Sequence, residues 1–512
     1  MWHSSCCFQK VEGDEMPDVM KTLLLNPPSF ENFDGGASSR WPATREIESY
    51  WYPVWLTYPA GMLPGSRLLD ASPAKINWRQ TVEICDDYEF LILFTSTVGF
   101  DSDVKLIRKI KESNPSLKIA FVGPHSSIKP DETLMTSEDI DFVTCGEFDH
   151  SVVEYAKGKP LSEIPGVSYR KDGKIVHNAS GTQLHTEELD ALPFATDIYK
   201  RDLKIENYNV PFLLHPYVSF YTSRGCPALC TFCLWPQTIS GHAWRTRSTE
   251  NVVREVKQAL ENFPQMKEIF FDDDTFNIRK DRVLDLAAKF KPLKFRWSST
   301  ARVHSDYETL KAMAAGGARL FIVGFESGDA QILKNINKGA TVEMARTFMK
   351  NCRKVGIRVH GDFIIGLPGE TRQTIQKTID FAKELDCETI QVSLAHAMPG
   401  TELYDSMAKQ GFLHSEALAD SGGHQLPHIE YPHLSKAEMM GGVNRFYDEY
   451  YFRPRVAWRI VREALWDANE RARLYHQAVD FLKLRSERWK WVRQGGDIDQ
   501  PMLTVTGDAV RK

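Results

Sequence analysis

The 512-residue sequence has no apolar run approaching the roughly 20 residues that a membrane-crossing helix needs, its longest clear run being Phe90-Leu-Ile-Leu-Phe94. A soluble chain is expected. Residues 1–19 hold Cys6 and Cys7 but no basic stretch leading into an apolar one, so they do not read as a secretory signal and are expected to be a disordered leader. Basic charge is not in excess: the net charge is −5, which argues against a generic nucleic-acid binder, and no nucleic-acid partner is expected. The nine cysteines are an odd number with three in one loop, a usage that fits a reducing cytoplasm better than a disulfide framework. No G-x-G-x-x-G follows the first apolar strand, which leaves a bound dinucleotide without support.

What the chain does have is Ser223-Arg-Gly-Cys-Pro-Ala-Leu-Cys-Thr-Phe-Cys-Leu234, with Cys226, Cys230 and Cys233 at spacing C-x3-C-x2-C after an apolar strand. Three thiols so placed can hold three irons of a four-iron, four-sulfur cluster and leave the fourth iron without a protein ligand. A structural zinc site closed by His242 is the competing reading, since such zinc takes four protein ligands. Cys85, Cys145, Cys352 and Cys387 lie in apolar surroundings and read as packing.

The periodicity predicts an α/β protein. Residues 20–150 alternate short apolar strands with helices, the pattern of a Rossmann-like parallel sheet covered on both faces, whose ligand sits beyond the carboxyl ends of the strands. Those ends read Asn26-Pro-Pro28, Thr95-Ser96-Thr97, Gly123-Pro124-His125 and Cys145-Gly146-Glu147. Residues 151–215 are Pro-punctuated and read as a linker containing a hairpin, with Asp172-Gly173 as its tight turn. Six βα units over residues 216–412 predict a barrel or partial barrel, whose working face is the set of loops after the strands. Residues 413–493 turn helical, and 494–512 form a tail. Between 445 and 493 stand twelve Lys and Arg against seven Asp and Glu, with Trp458, Trp466, Trp489 and Trp491. Such helices either cap the barrel or rest on an anionic membrane.

The barrel strands end in Asp272-Asp273-Asp274-Thr-Phe276, Ser298-Ser-Thr-Ala-Arg302, Gly324-Phe-Glu326-Ser-Gly328 and Gly366-Leu-Pro-Gly369-Glu370. Polar groups at four successive strand ends describe one site. Carboxylates there can take an ammonium or ribose hydroxyls, and the Gly-Pro-Gly turn lets backbone approach a flat ring. A magnesium site or a solvated turn is the plainer reading of the acidic triplet.

With the cysteine loop, Phe232 before its third cysteine, and these strand ends, the sequence resembles the radical S-adenosylmethionine (SAM) superfamily, and within it the class with a cobalamin-binding domain. The resemblance implies a cobalamin-type sheet, a TIM-like (β/α)6 radical SAM barrel and a helical carboxy-terminal region. It implies that Cys226, Cys230 and Cys233 hold a 4Fe-4S cluster whose open iron is chelated by SAM, and that one electron, from a donor such as flavodoxin or ferredoxin, cleaves SAM to a 5′-deoxyadenosyl radical. Phe232, Asp273, Asp274, Arg302, Glu326, Gly366 and Gly369 would surround SAM. Thr95, Ser96, Thr97, Gly123, His125 and Glu147 would cradle cobalamin, although the D-x-H-x-x-G signature that gives cobalt a histidine in some cobalamin proteins is absent.

Over residues 20–493 the segments Asn26-Pro-Pro-Ser-Phe-Glu-Asn-Phe-Asp-Gly-Gly36, Ser49-Tyr-Trp-Tyr-Pro-Val-Trp55, Glu430-Tyr-Pro-His-Leu434 and Phe446-Tyr-Asp-Glu-Tyr-Tyr-Phe-Arg-Pro-Arg455 are similar to hopanoid-biosynthesis radical SAM proteins, implicated in making the cyclitol ether head group of bacteriohopanetetrol. That similarity implies a hopanoid lipid substrate whose glucosamine ring is contracted to a five-membered carbocycle, in a cytoplasmic enzyme touching the inner membrane through its carboxy-terminal helices. Tyr50, Trp51 and Trp55 would either stack on the sugar or belong to the core. Two other readings stand beside this one: a cobalamin-dependent radical methyltransferase acting on a lipid or another unactivated carbon, and a zinc-stabilised lipid-binding or assembly protein.

Overall fold

A computed structural model describes residues 19–28, 49–414, 418 and 426–466, with single positions between 479 and 493. The expected leader and tail, and most of the segment from 26 to 36, lie outside the described residues.

The first sheet is built from β1 (Thr22–Asn26), β2 (Arg67–Asp70), β3 (Phe90–Phe94), β4 (Lys118–Val122), β5 (Phe142–Thr144), β6 (Val167–Lys171) and β7 (Lys174–His177), in the order β2-β1-β3-β4-β5-β6-β7. Its first five strands are parallel. Leu24, Ile92 and Ala120 project to one face, and Leu23, Leu25, Leu91 and Leu93 to the other, the period of two that a strand imposes. Both faces are covered, which is why these strands carry unbroken apolar runs. The helix Phe100–Ser113 covers one face with Phe100, Val104, Ile107 and Ile110, a helical spacing, and each such buried side chain contributes on the order of 2 kcal/mol. The hairpin placed in a linker by the sequence is instead the antiparallel end of this sheet: β5 pairs with β6 and β6 with β7, and Asp172 and Gly173 make the turn with φ of 51° and 72°.

The second sheet holds β8 (Tyr217–Phe220), β11 (Glu268–Phe271), β12 (Trp297–Thr300), β13 (Ala318–Glu326), β14 (Arg358–Ile365) and β15 (Thr389–Leu394), all parallel, in the order β15-β14-β13-β12-β11-β8. Between β8 and β11 a two-stranded ribbon pairs β9 (Ser223–Arg224) with β10 (Arg245–Thr246). The 14-residue helices on this sheet start at side-chain caps, Ser248 for Thr249–Asn262, Thr341 for Val342–Val355 and Thr371 for Arg372–Leu385. The result is an open, six-stranded partial barrel.

Its edge strand β15 is closed by the helix Lys436–Tyr451. Tyr447 and Tyr451 hydroxyls accept from the Val392 and Ile390 amides at 2.9 and 3.0 Å, and the Tyr450 hydroxyl donates to the Cys387 carbonyl at 2.5 Å. The tyrosine run therefore caps a sheet edge that would otherwise present unpaired amides. Among the described residues no helix is long and apolar enough to cross a membrane.

The two sheets share one core. Tyr52 stacks on Tyr208 at 3.9 Å and donates to the Tyr217 carbonyl at 2.7 Å, while Tyr208 donates to Asp70 of β2 at 2.7 Å. Trp51 packs edge-on against Phe212 and Phe270, and Trp55 lies under Arg224. Of the three aromatics weighed as a sugar platform, Trp51 and Trp55 are buried and Tyr50 is half-buried against the core, so they belong to the joint between the sheets.

Candidate active site

The cysteine loop leaves β8 through the β9–β10 ribbon and is pinned on every side. Gly225 needs its left-handed φ of 82° because a side chain there would strike the Ala243 carbonyl. The Cys226 amide donates to the Gly241 carbonyl at 3.2 Å, the Thr231 amide to Ile336 at 3.1 Å, and the Leu403 amide back to Thr231 at 2.9 Å. Gln237 draws the turn together, its amide donating to the carbonyls of Cys233 at 2.7 Å and of Cys230 and Thr231 at 3.3 Å. Cys226 and Cys230 are buried and Cys233 is half-buried. Burial first, then Asp274, Cys230 and Cys226, push the Cys233 thiol up, and Lys338 opposes them. Arg302 Nη1 lies 3.8 Å from Cys230 Sγ, and Thr275 Oγ1 lies 3.5 Å from Cys226 Sγ.

His242 does not join the thiols. Its ring is exposed and its Nδ1 lies 3.1 Å from the Cys226 carbonyl oxygen. Among the described residues no three His, Cys, Asp or Glu side chains converge on one metal ion. The closed zinc site weighed from the sequence therefore lacks the fourth ligand that His242 was to supply.

The acidic segment after β11 divides into two roles. Asp273 accepts from the Thr222 and Ser223 amides at 2.5 and 3.1 Å and from their hydroxyls at 2.6 and 2.8 Å, so it fastens the end of β11 to the start of the cysteine loop. Burial pushes its carboxyl up, with Arg282 and these donors opposing. With its lone pairs taken by protein donors, Asp273 is a brace and not the SAM contact expected of it. Asp274, next to it, accepts from Ser240 Oγ at 2.8 Å and faces Cys233.

Arg302, after β12, is fixed through Asn277, which accepts from its amide at 2.8 Å and donates to its carbonyl at 2.7 Å. Its guanidinium donates to the Lys338 carbonyl. Glu326 ends β13 at a φ of 63°, where the register to β14 shifts, and its carboxylate pairs with Lys338 Nζ at 2.6 Å. Burial works against the Lys338 charge, but Glu326 and Cys230 hold it above its usual value. Gly366 and Gly369 both have left-handed φ, 91° and 90°, and side chains there would meet Met439 and Asn335. Below this turn, burial pushes the Glu370 carboxyl up to about 7, with Thr374 and the Gly366 amide opposing. Phe232 packs half-buried against the core.

At the first sheet the expected residues fare differently. Thr95 donates to the buried Asp103 at 2.7 Å, Ser96 Oγ accepts from the Gly99 amide at 3.2 Å, and Thr97 is half-buried. Gly123 has a φ of 112°, and a side chain there would stand 2.5 Å from the Thr95 carbonyl. His125 is buried, stacks on Phe100 at 4.1 Å and has no hydrogen-bond partner on either nitrogen. Burial pushes its imidazole down to about 4, so it is neutral at pH 7. Glu147 is not at a ligand cradle: it accepts from Arg224 at 3.2 Å, from Arg245 at 2.6 Å and from the Leu184 amide at 3.1 Å.

That network is what the sequence did not reveal. Arg224, two residues before Cys226, forks onto Asp149 at 2.7 and 2.8 Å and lies over the rings of Trp55 and Tyr58 at 4.4 and 4.9 Å. It ties the cysteine loop directly to the carboxyl end of the first sheet. The signal available was its place between the strand and the first cysteine.

Residues 220–382 match the Radical SAM superfamily model. Over 483 residues the chain is 29% identical to an uncharacterized methyltransferase of Pyrococcus horikoshii, covering 90% of this chain and 100% of that protein. It is 32% identical to the cytidylyl-2-hydroxyethylphosphonate methyltransferase of Streptomyces wedmorensis over 59% of this chain and 63% of that one. It is 22% identical to an anaerobic magnesium-protoporphyrin IX monomethyl ester cyclase of Cereibacter sphaeroides over 85% of this chain and 71% of the cyclase. Among solved structures, the cobalamin-dependent S-adenosylmethionine radical enzyme OxsB, with aqua-cobalamin and S-adenosylmethionine bound, superimposes with a TM-score of 0.65 at 17% identity, over 95% of this chain and 74% of that one. The fold is thus shared with a cobalamin-binding radical SAM enzyme, and this chain is a mixed α/β protein carrying a domain of the Radical SAM superfamily.

Proposed function

We propose that this protein is a cobalamin-dependent radical SAM enzyme acting on an unactivated carbon, and that its reaction is methyl transfer. The observation that carries the radical SAM part is the pinned loop, with Cys226 and Cys230 buried and both acting on the Cys233 thiol. Three thiols suit a cluster with one open iron. Arg302 and Lys338 stand next to Cys230, where their charge would offset that of a thiolate-ligated cluster. When bound, the cluster and SAM supply a primary carbon radical that removes hydrogen from an inert C–H bond, and cobalamin supplies a methyl carrier.

The chain's own residues would do the rest. Phe232, Asp274, Arg302, Glu326, Gly366 and Gly369, on the cysteine loop and at or after the ends of the neighbouring strands, are assigned to SAM. Thr97, Gly123 and His125 are assigned to cobalamin, the buried and unpartnered nitrogens of His125 being the feature that suits a further polar group at the strand ends. Arg224 holds the two sheets in register, so that a substrate carbon between them meets both cofactors and little water. A flavodoxin or ferredoxin is the expected electron donor. The names of the Pyrococcus and Streptomyces relatives support methyl transfer.

A second reading, contraction of a hopanoid-linked glucosamine ring, is favoured by the segments 49–55, 430–434 and 446–455 and by the ring-closing relative from Cereibacter. The exposed Phe452, Trp458 and Val461 beside Arg455 and Arg462 suit a cytoplasmic enzyme resting on anionic lipid. Anaerobically reconstituted protein given SAM, cobalamin, reductant and hopanoid glucosamine separates the two. A product heavier by one methylene unit supports the first, and loss of the six-membered ring without added methyl supports the second. SAM cleavage with this lipid untouched removes the hopanoid substrate.

A further inference from the structure

The segment Asn335-Ile-Asn-Lys-Gly339, which no sequence signal singled out, is where the strand-end loops of the partial barrel meet. The Ile336 carbonyl accepts from the Thr231 amide of the cysteine loop at 3.1 Å, the Asn335 side chain donates to the Pro368 carbonyl at 2.8 Å, and the Lys338 carbonyl accepts from Arg302. Asn337 makes the turn with a left-handed φ of 51°. From this turn Lys338 Nζ reaches the Glu326 carboxylate at 2.6 Å, the two side chains being 11% and 7% exposed.

The backbone bends unusually far to admit this pair. Glu326 is held at a φ of 63°, which residues bearing a side chain rarely adopt. At Gly324 a Cβ would strike the Glu326 carboxylate and stand 3.0 Å from Lys338 Nζ. A buried ion pair adds little net stability over apolar residues of the same volume, so a structural role does not call for one here. Strain kept around two charges points instead to a use for the charges themselves. What they stand beside is Cys230: Arg302, which fixes the Lys338 carbonyl, also brings Nη1 to 3.8 Å from Cys230 Sγ, and the Lys338 charge acts on both Cys230 and Cys233. Reducing a 4Fe-4S cluster adds one electron and makes it more negative, so a cation beside its sulfurs favours the reduced form and an anion disfavours it.

We propose that Lys338 acts on the cluster through Cys230, as the residue that sets its reduction potential: its ammonium favours entry of the single electron from a flavodoxin- or ferredoxin-type donor, and Glu326 trims that effect. This rests on the reading of the cysteine loop as a 4Fe-4S site. It goes beyond that reading in naming the two side chains, opposed in sign, that control how readily the cluster is reduced.

Potentiometry of the reconstituted full-length protein, free of SAM, tests it. Iron and sulfide are counted, the cluster is titrated with dithionite in the presence of redox dyes, and the reduced form is read by electron paramagnetic resonance. Lys338→Met keeps the length and removes the charge, and should make reduction at least about tenfold less favourable, a fall of about 59 mV for one electron. Glu326→Gln should raise the potential by a comparable amount, and Lys338→Arg should stay close to the wild type. Damage to packing would not move the two neutral variants in opposite directions. A full cluster whose potential ignores Lys338→Met, or shifts of one sign in both variants, overturns the proposal. If Lys338→Met takes up no cluster, Glu326→Gln decides alone: a rise supports the proposal, and a fall or no change overturns it. A wild type without a four-iron cluster would remove the underlying reading and the proposal with it, an outcome that the iron and sulfide count tells apart from a full cluster with an unmoved potential.

Discussion

The two ligand-facing ends of the molecule are built in opposite ways. At the end of β8 the cysteine loop is held by backbone and Gln237 hydrogen bonds that leave the Cys226 and Cys230 sulfurs turned toward Thr275 and Arg302. At the ends of β3–β5, by contrast, Thr95, Ser96 and Glu147 are each occupied by a protein partner, and His125 is buried with none. A cluster needs its ligands placed to within tenths of an ångström, so the chain specifies them one by one. A large cofactor lying on strand ends needs mainly room, small residues and backbone, and leaves a weaker imprint.

The largest test of that contrast is Cys230→Ala. It should remove the cluster and abolish SAM cleavage, at least about a thousandfold, with iron and sulfide analysis and 5′-deoxyadenosine formation as the readouts. Removal of the clamp between the two ends comes next. Arg224→Leu strands the buried Asp149 carboxylate, while Glu147 keeps Arg245, and should cost about 3–5 kcal/mol, seen as a lower thermal midpoint, with Arg224→Lys intermediate because one ammonium cannot replace the fork.

Glu370 gives a pH signature to the barrel end. Its carboxyl titrates near 7 in the folded protein against 4.5 when free, because burial disfavours the charge. The unfolded chain therefore releases its proton first as pH rises, so the group's contribution is full below about 4.5, is lost progressively up to about 7 and is flat above. The loss is about 3 kcal/mol, and Glu370→Gln should flatten that part of the thermal-midpoint profile between about pH 4.5 and 7. The smallest effect belongs to the first sheet. His125→Phe removes two unpartnered polar atoms and should change the cofactor-free protein by about 1 kcal/mol or less, toward greater stability, while loosening retained cobalamin in gel filtration.

Much of this architecture was legible in the sequence because its signals are periodic or spaced. Apolar runs such as Phe90–Phe94 and Glu268–Phe271 read as covered parallel strands, and C-x3-C-x2-C set the cluster loop. Side-chain partners across the fold left no such pattern. Asp273 looked like a ligand residue and is a brace, because its four donors on Thr222 and Ser223 come from 50 and 51 residues away. Glu147 looked like a strand-end contact, and Arg224 and Arg245 claim it from the other sheet. Val167–Lys171 and Lys174–His177 were recognisable as a hairpin but not as an extension of the first sheet, since the antiparallel pairing of β5 with β6 depends on where the chain returns.

The most direct test of the central claim is the yield of 5′-deoxyadenosine from anaerobically reconstituted, reduced protein supplied with SAM, measured beside its iron and sulfide content. About four iron and four sulfide per chain, with SAM cleavage lost when any one of Cys226, Cys230 and Cys233 is replaced by alanine, is the predicted result. Zinc in place of iron, or a full cluster that leaves SAM intact, would contradict it.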